Sequence, residues 1–263
     1  MKIVVCIKQV PDTAEVKTDP RTHTLVREGT RSILNPFDAF AIEEALRQRE
    51  QHGGQVTAIT MGPAHAEAVL REALAMGVDA AVLLGDRVLA GSDTWATSYA
   101  LAAAVRKLGG ADLLFFGKQA ADGDTAQVGP GVAAHLNLPQ ITYVRRIASV
   151  MDGKIRAERL LDHGVEVVVS SLPCLLTVVK EINEPRLPSL TGVLRARTVE
   201  IEYWNADDIG VAPEKIGLDG SPTRVAQVFV PPARTGGVML RGAPADVAAK
   251  LAKELRIFVA GNA

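Results

Sequence analysis

Two cysteines, Cys6 and Cys174, are all that 263 residues contain. Both sit in apolar runs without Cys-x-x-Cys spacing, which disfavours a disulfide framework, a metal site or a thiol nucleophile and leaves buried, reduced thiols as the expectation. An excess of one charge is also missing. The 29 basic and 30 acidic residues leave a formal net charge of -1, so nothing electrostatic calls for nucleic acid or an anionic membrane. No apolar run approaches the roughly 20 residues of a membrane helix, and Met1-Lys2-Ile3-Val4-Val5-Cys6 has no cleavable signal pattern, so a cytoplasmic location is expected. No Gly-x-Gly-x-x-Gly follows the first apolar run and no Gly-x-x-x-x-Gly-Lys-Ser/Thr occurs, which disfavours the usual dinucleotide fingerprint and the P-loop. Nor is there a Ser/His/Asp set, a metal-ligand spacing or a carboxylate pair suited to acid-base chemistry.

What the chain does have is hydrophobic patterning, with 48% hydrophobic and 22% charged residues, enough for a substantial core. Lys2 to Lys8, Gln55 to Met61, Ala80 to Leu84 and Asp112 to Phe116 read as short buried strands. Between them, Ala39 to Arg47, Ala66 to Met76, Asp93 to Leu108 and the Ala-rich run from Gly131 to Leu136 carry helical periodicity. In the third of these helices Trp95, Tyr99, Leu101 and Val105 are inward-facing candidates. Such alternation with short connections calls for right-handed crossovers and a doubly wound, mainly parallel α/β sheet. The polar stretch after Pro11, with Asp19-Pro20-Arg21-Thr22, reads as a hairpin-like excursion. From Pro139 the character changes: Ile147 to Val150, Lys154 to Arg159, Val165 to Val169 and Cys174 to Val179 are expected as strands of an added antiparallel hairpin region. There Arg145, Arg146 and His163 read as solvated edge residues. The expected division is a nucleotide-binding α/β domain over 1–198 and an arm over 199–263. The arm has a strand-like Val225 to Val230, the run Pro231 to Gly237 and an amphipathic helix from about Pro244 to Leu255. It cannot bury enough surface alone, so wrapping another chain is expected.

Three stretches stand out chemically. The first, Gly117-Lys118-Gln119-Ala120-Ala121-Asp122-Gly123-Asp124-Thr125-Ala126-Gln127-Val128-Gly129-Pro130, leads from the end of a buried strand into a helix, where an open parallel sheet collects ligands. Its small residues, Gly117, Ala120, Gly123, Ala126 and Gly129, permit close backbone approach, while Asp122, Asp124, Thr125 and Gln127 supply polar groups, as a nucleotide requires. A solvated turn whose Asp or Thr caps the helix is the plain alternative. The second, Asn35-Pro36-Phe37-Asp38, precedes a helix that Asn35 or Asp38 could cap. The third, Met61-Gly62-Pro63, ends a strand.

These stretches, together with Leu70 to Asp79 and Asn183-Glu184-Pro185-Arg186, resemble in order the β-subunit of electron transfer flavoproteins. The resemblance implies a Rossmann-like, adenine nucleotide α-hydrolase-like fold. It implies a nucleotide bound by Cys6, Asn35, Pro36, Phe37, Asp38, Met61, Gly62, Gly117, Gln119, Ala120, Asp122, Gly123, Asp124, Thr125, Ala126, Gln127, Val128 and Gly129, with Phe37 brought toward a flavin. It also implies a partner-docking loop over 184–197, with Leu190 as the anchor and Arg186, Arg195 and Arg197 as its rim, and a C-terminal arm embracing an α-subunit that holds FAD. In the respiratory sort of β-subunit the site holds AMP, and the loop typically carries three consecutive acidic residues. Here Asp122-Gly123-Asp124-Thr125-Ala126 is similar instead to the electron-bifurcating sort, which implies a second FAD, NADH as donor, and delivery both to an acyl-CoA-dehydrogenase-like flavoprotein and to a low-potential acceptor such as ferredoxin. The other readings are an AMP-holding electron relay and, more distantly, a stand-alone nucleotide-binding protein.

Overall fold

Alternate residues of the first strand, β1 (Lys2–Cys6), enter opposite cores: Ile3 and Val5 face one, Val4 and Cys6 the other. A strand buried on both faces belongs in the middle of a sheet covered by helices on each side. The computed structural model describes residues 1–12, 17–18, 25–26, 32–226 and 237–261. After β1 come β2 (Gln9–Pro11), β3 (Lys17–Thr18), β4 (Leu25–Val26), β5 (Ser32–Leu34), α1 (Pro36–His52), β6 (Gln55–Met61), α2 (Glu67–Met76), β7 (Ala80–Leu84), α3 (Thr94–Lys107), β8 (Leu113–Gly117) and α4 (Val128–Leu136). The second half adds β9 (Gln140–Met151), β10 (Lys154–Leu161), β11 (Gly164–Ser171), β12 (Cys174–Val178), α5 (Leu190–Ala196), β13 (Glu202–Trp204), α6 (Ala206–Ile209) and α7 (Pro244–Gly261).

One nine-stranded sheet runs in the order β11-β10-β9-β12-β8-β1-β6-β7-β13. Its pairings are parallel from β9 through β13 and antiparallel among β9, β10 and β11. Helices α1 and α2 pack on one face, α3 and α4 on the other. The fold is therefore the expected α/β one, with its antiparallel extension.

Several details differ from the sequence expectation. Cys174 to Val179 does not form a hairpin: β12 inserts parallel between β8 and β9. The reason lies in its composition, since Cys174, Leu175, Leu176, Thr177 and Val178 are all buried, and an unbroken apolar run suits a strand covered on both faces rather than a half-solvated ribbon. Strand β9 is also longer than Ile147 to Val150. Its first half pairs with β12 and its second with β10, and Tyr143, with φ 58°, lies near the irregular register between them. Trp95 faces outward, 40% exposed, stacked on Tyr99 at 5.9 Å between ring centroids, whereas Leu101 and Val105 are buried. β13, which the patterning does not reveal, lies parallel beside β7; its Trp204 is buried, as are Ile209 and Ile216 beyond it. The excursion residues Asp19-Pro20-Arg21-Thr22 lie outside the described residues, as do 227–236; β3 and β4, flanking the excursion, pair antiparallel.

The stretch after β12 is fastened to α1. Asn183 Nδ2 donates to Phe40 O at 3.0 Å and Glu44 Oε2 at 3.2 Å. Arg186 donates from Nε to Glu43 Oε2 at 2.7 Å and from Nη1 to Glu50 Oε1 at 2.6 Å. Glu43 is buried, so removing a partner leaves a desolvated charge short of donors. Arg186→Ala is expected to cost about 1–3 kcal/mol, seen in urea unfolding as a lower midpoint at unchanged slope; an unchanged midpoint would show that the pair contributes nothing.

Candidate functional site

From β1 the chain passes through α1 to β6 and on to β7, then returns through α3 to β8 on the other side of β1. The order thus reverses between β1 and β8, and the connections after their carboxyl ends diverge there, which opens a crevice in any doubly wound sheet. A cleft of about 780 Å³ occupies this place and runs on to the end of β7.

Its centre is built from α1. Asp38 is buried, and its Oδ2 accepts the backbone N–H of Lys8, just past β1, at 2.7 Å; the amide of Gly117, at the end of β8, binds the same carboxyl. Burial pushes this carboxyl up to about 7, against the amides of Asn35, Lys8 and Gly117, which favour its charged form. Asn35 occupies the N-cap position of α1 but makes no side-chain cap. Its amide instead crosses to the loop after β8, donating to Gln119 O at 2.9 Å and accepting from Ala121 N at 3.1 Å. The capping role open to Asn35 in the sequence is therefore replaced by fastening of the loop. A Cβ on Gly117 would lie 2.4 Å from Asp38 Oδ1 and 2.7 Å from the backbone of Phe37, and one on Gly129 2.7 Å from Thr177 Cγ2, so both positions need glycine. A Cβ on Gly123 would meet nothing within 4 Å.

Most of the expected nucleotide residues line the cleft: Cys6, Asn35, Asp38, Met61, Gly62, Gly117, Gln119, Ala120, Gly123 and the run from Thr125 to Gly129. Burial pushes the Cys6 thiol far above its ordinary range, so it acts as wall. Four expected residues do not line the cleft. Asp122 reaches Lys8 Nζ at 2.7 Å and Asp124 accepts from the Gln119 amide, so both brace the loop; Asp124 and Ala126 hold φ of 54° and 55°, a left-handed conformation that Asp tolerates better than Ala. Pro36 opens α1 at a position where its missing N–H costs nothing. Phe37 turns away into a second cavity of about 770 Å³, shared with Lys118 and Tyr143.

Sequence reasoning misses the residues from Leu83 to Thr94, yet Leu84, Gly85, Asp86, Arg87, Ser92 and Thr94 line the cleft. Their glycine, acidic and hydroxyl residues after a strand repeat the signal of the loop at 117–130 and could have been recognised by it. Tyr203 also lines the cleft, with no local signal. Leu84, Leu89, Leu101 and Phe116 supply apolar wall, while α4 begins without a side-chain cap, leaving first-turn amides and the positive end of its dipole for an anion. The cleft thus offers an apolar surface beside unpaired backbone donors. Among the described residues no group of three His, Cys, Asp or Glu could hold a metal, and no helix is long and apolar enough to cross a membrane.

The expected docking segment presents Leu190 at the start of α5, 77% exposed, with Leu187 and Leu194 also exposed; Ser189 caps the helix by accepting from Gly192 N at 3.0 Å. Two of its three arginines bind back to this chain rather than forming a free rim. Arg186 grips Glu43 and Glu50, and Arg195 Nη1 donates to Val78 O at 2.9 Å, beyond the end of α2. Arg197 is exposed.

Because the folded Asp38 binds its proton more tightly than the unfolded chain does, its contribution to stability is complete below pH 3.8 and is lost as pH rises toward 7. Asp38→Asn mimics the protonated form. The stability of the natural protein relative to Asp38→Asn should fall between pH 4 and 7.5, by up to ~4 kcal/mol, in denaturant titrations of the purified proteins; a flat difference would contradict the assignment.

Residues 22–209 match the family model described as the electron transfer flavoprotein domain. The chain is 50% identical over 258 residues to the caffeyl-CoA reductase-Etf complex subunit CarD of Acetobacterium woodii, covering 97% of this chain and 98% of that one. It is 54% identical over 241 residues to protein FixA of Azorhizobium caulinodans, covering 89% and 86%, and 50% identical over 243 residues to the electron transfer flavoprotein subunit beta of Thermoanaerobacterium thermosaccharolyticum, covering 92% and 93%. With a nucleotide-type cleft at its switch point and relatives that run alongside it over most of its length, the chain belongs to the electron transfer flavoprotein family, among its β-subunits.

Proposed function

We propose that this β-subunit binds FAD in the cleft, takes electrons from NADH, and divides them between the FAD of an α-subunit and a low-potential acceptor such as ferredoxin, the α-subunit passing its share to an acyl-CoA-dehydrogenase-like flavoprotein. The chain serves electron transfer as a subunit of this family; the second FAD, the donor and the division of electrons are the further step. One observation carries it: the cleft at the switch point adjoins the second cavity through a common wall residue, Lys118. A mononucleotide needs only the first of these spaces, whereas a dinucleotide carrying a second ring system can use both. CarD, by its name a subunit of a caffeyl-CoA reductase-Etf complex, is a relative in keeping with a reductase partner.

The residues present fit the group. The first-turn amides of α4 and the backbone of Gly117 to Gly129 would hold the pyrophosphate, the apolar wall of Leu84, Leu101 and Phe116 the adenine, and Thr125 and Gln127 the hydroxyls of the linking chain. FAD, when bound, supplies the hydride and single-electron chemistry, which the side chains present do not. What the protein does is place the group, exclude water with the apolar wall, and hold the loop at 119–121 through Asn35. The opening at Gly123 leaves room where the related AMP-type loop carries a further acidic side chain.

Denaturing the purified heterodimer and counting released nucleotides should give two FAD; one FAD and one AMP defeats the proposal and leaves the relay reading. Gly123→Leu should fold normally, its side chain having open space, yet lose the nucleotide of the cleft; full occupancy in that variant would move the pocket elsewhere. Leu190→Ala should slow electron delivery to the dehydrogenase severalfold without changing flavin content, and equal transfer rates would remove the docking role.

A further inference from the structure

Lys118 is the residue through which the cleft and the second cavity meet. Its backbone is fixed by an N–H donated to Val178 O at 2.8 Å, at the end of β12. Its ammonium lies 5.9 Å from the Phe37 ring centroid and 5.3 Å from that of Tyr143, and no carboxylate of the described residues forms an ion pair with it. Of the other cations lining these two spaces, Lys8 pairs with Asp122 at 2.7 Å and Arg159 binds Thr142 at 2.8 Å and Glu166 at 3.8 Å, while Arg87 lies in the cleft and Lys180 is exposed at the second cavity; among the described residues Lys118 is the cation set over the Phe37 and Tyr143 rings. A lysine held between two aromatic rings without a carboxylate retains most of its charge for whatever enters the space beside it.

We propose that Lys118 is the charge partner of the reduced cofactor ring, setting how readily the β-site flavin accepts electrons; this rests on the reading that cleft and cavity together hold FAD. The route is marked by two neighbours in sequence: Asp38 faces the cleft, while Phe37, one residue earlier, faces the second cavity. A dinucleotide with its adenylate in the cleft would have Lys118 on the way to the space lined by Phe37 and Tyr143. Hydride transfer from NADH would add two electrons and one proton to a bound flavin ring, releasing NAD⁺ and giving the ring one negative charge for a neighbouring cation to meet. An ammonium at the edge of the ring interacts weakly with the neutral oxidised form and strongly with the charged reduced form, and in a partly desolvated site that difference shifts the equilibrium toward reduction.

The test is a redox titration of the β-site flavin in the heterodimer, natural and with Lys118→Met or Lys118→Arg, together with equilibrium binding of oxidised FAD, chemically reduced FAD and AMP to each deflavinated form. Lys118→Met should lower the midpoint potential and weaken binding of reduced FAD about tenfold, leaving oxidised FAD and AMP within about twofold of the natural protein; Lys118→Arg, which keeps the charge, should recover most of the difference. Equal midpoints in the natural protein and Lys118→Met overturn the assignment while the FAD reading stands, as does an equal loss of all three ligands in both variants, which marks a merely structural lysine. A natural heterodimer without flavin in this site removes the reading and the inference with it.

Discussion

The hinge of this molecule is a buried carboxyl. Where β1 and β8 end, the backbone amides of Lys8 and Gly117 lose their partners in the sheet, and an N–H buried without an acceptor costs as much as a lost hydrogen bond. Asp38 meets both from the first turn of α1. The same arrangement makes Gly117 obligatory, since a Cβ there would overlap the carboxylate it serves. The crevice thus stays open without exposing raw strand ends, and its floor is rigid enough to position a ligand.

Helix α1 extends this constraint in two directions. At its start Asn35 fastens the loop after β8 through two backbone groups. Farther along, Glu43, Glu44 and Glu50 hold the stretch from Asn183 to Arg186, which leads into the exposed helix α5. The loop after β8 and the segment leading into α5 are therefore referred to one rigid element, although far apart in sequence.

Much of this architecture is legible from residue order. The strand-helix alternation and the loop at 117–130 follow from periodicity and small residues, both local properties, whereas the outward Leu190 follows from the family resemblance. Less legible is the use of particular polar groups. Asn35 precedes a helix and reads as its cap, yet its partners lie 84 and 86 residues away. Arg186 and Arg195 read as a rim because the resemblance puts them around an apolar docking anchor, but one finds two carboxylates of α1 and the other carbonyls beyond α2. The β7-side wall escapes sequence reading although its glycine, acidic and hydroxyl residues carry the same signal as the loop at 117–130.

Residue order alone settled the class of fold, the alternation of its elements and the small-residue loop that ends up lining the cleft, because hydrophobic period and glycine content act within a few residues of themselves. Folding decided the features that arise where side chains meet across the sheet: that β12 enters parallel, that Asp38 and Phe37 face different cavities, and that Lys118, in no ion pair among the described residues, borders both. Those outcomes depend on which desolvated groups find partners once the strands are laid side by side, a balance with no local signature in the chain.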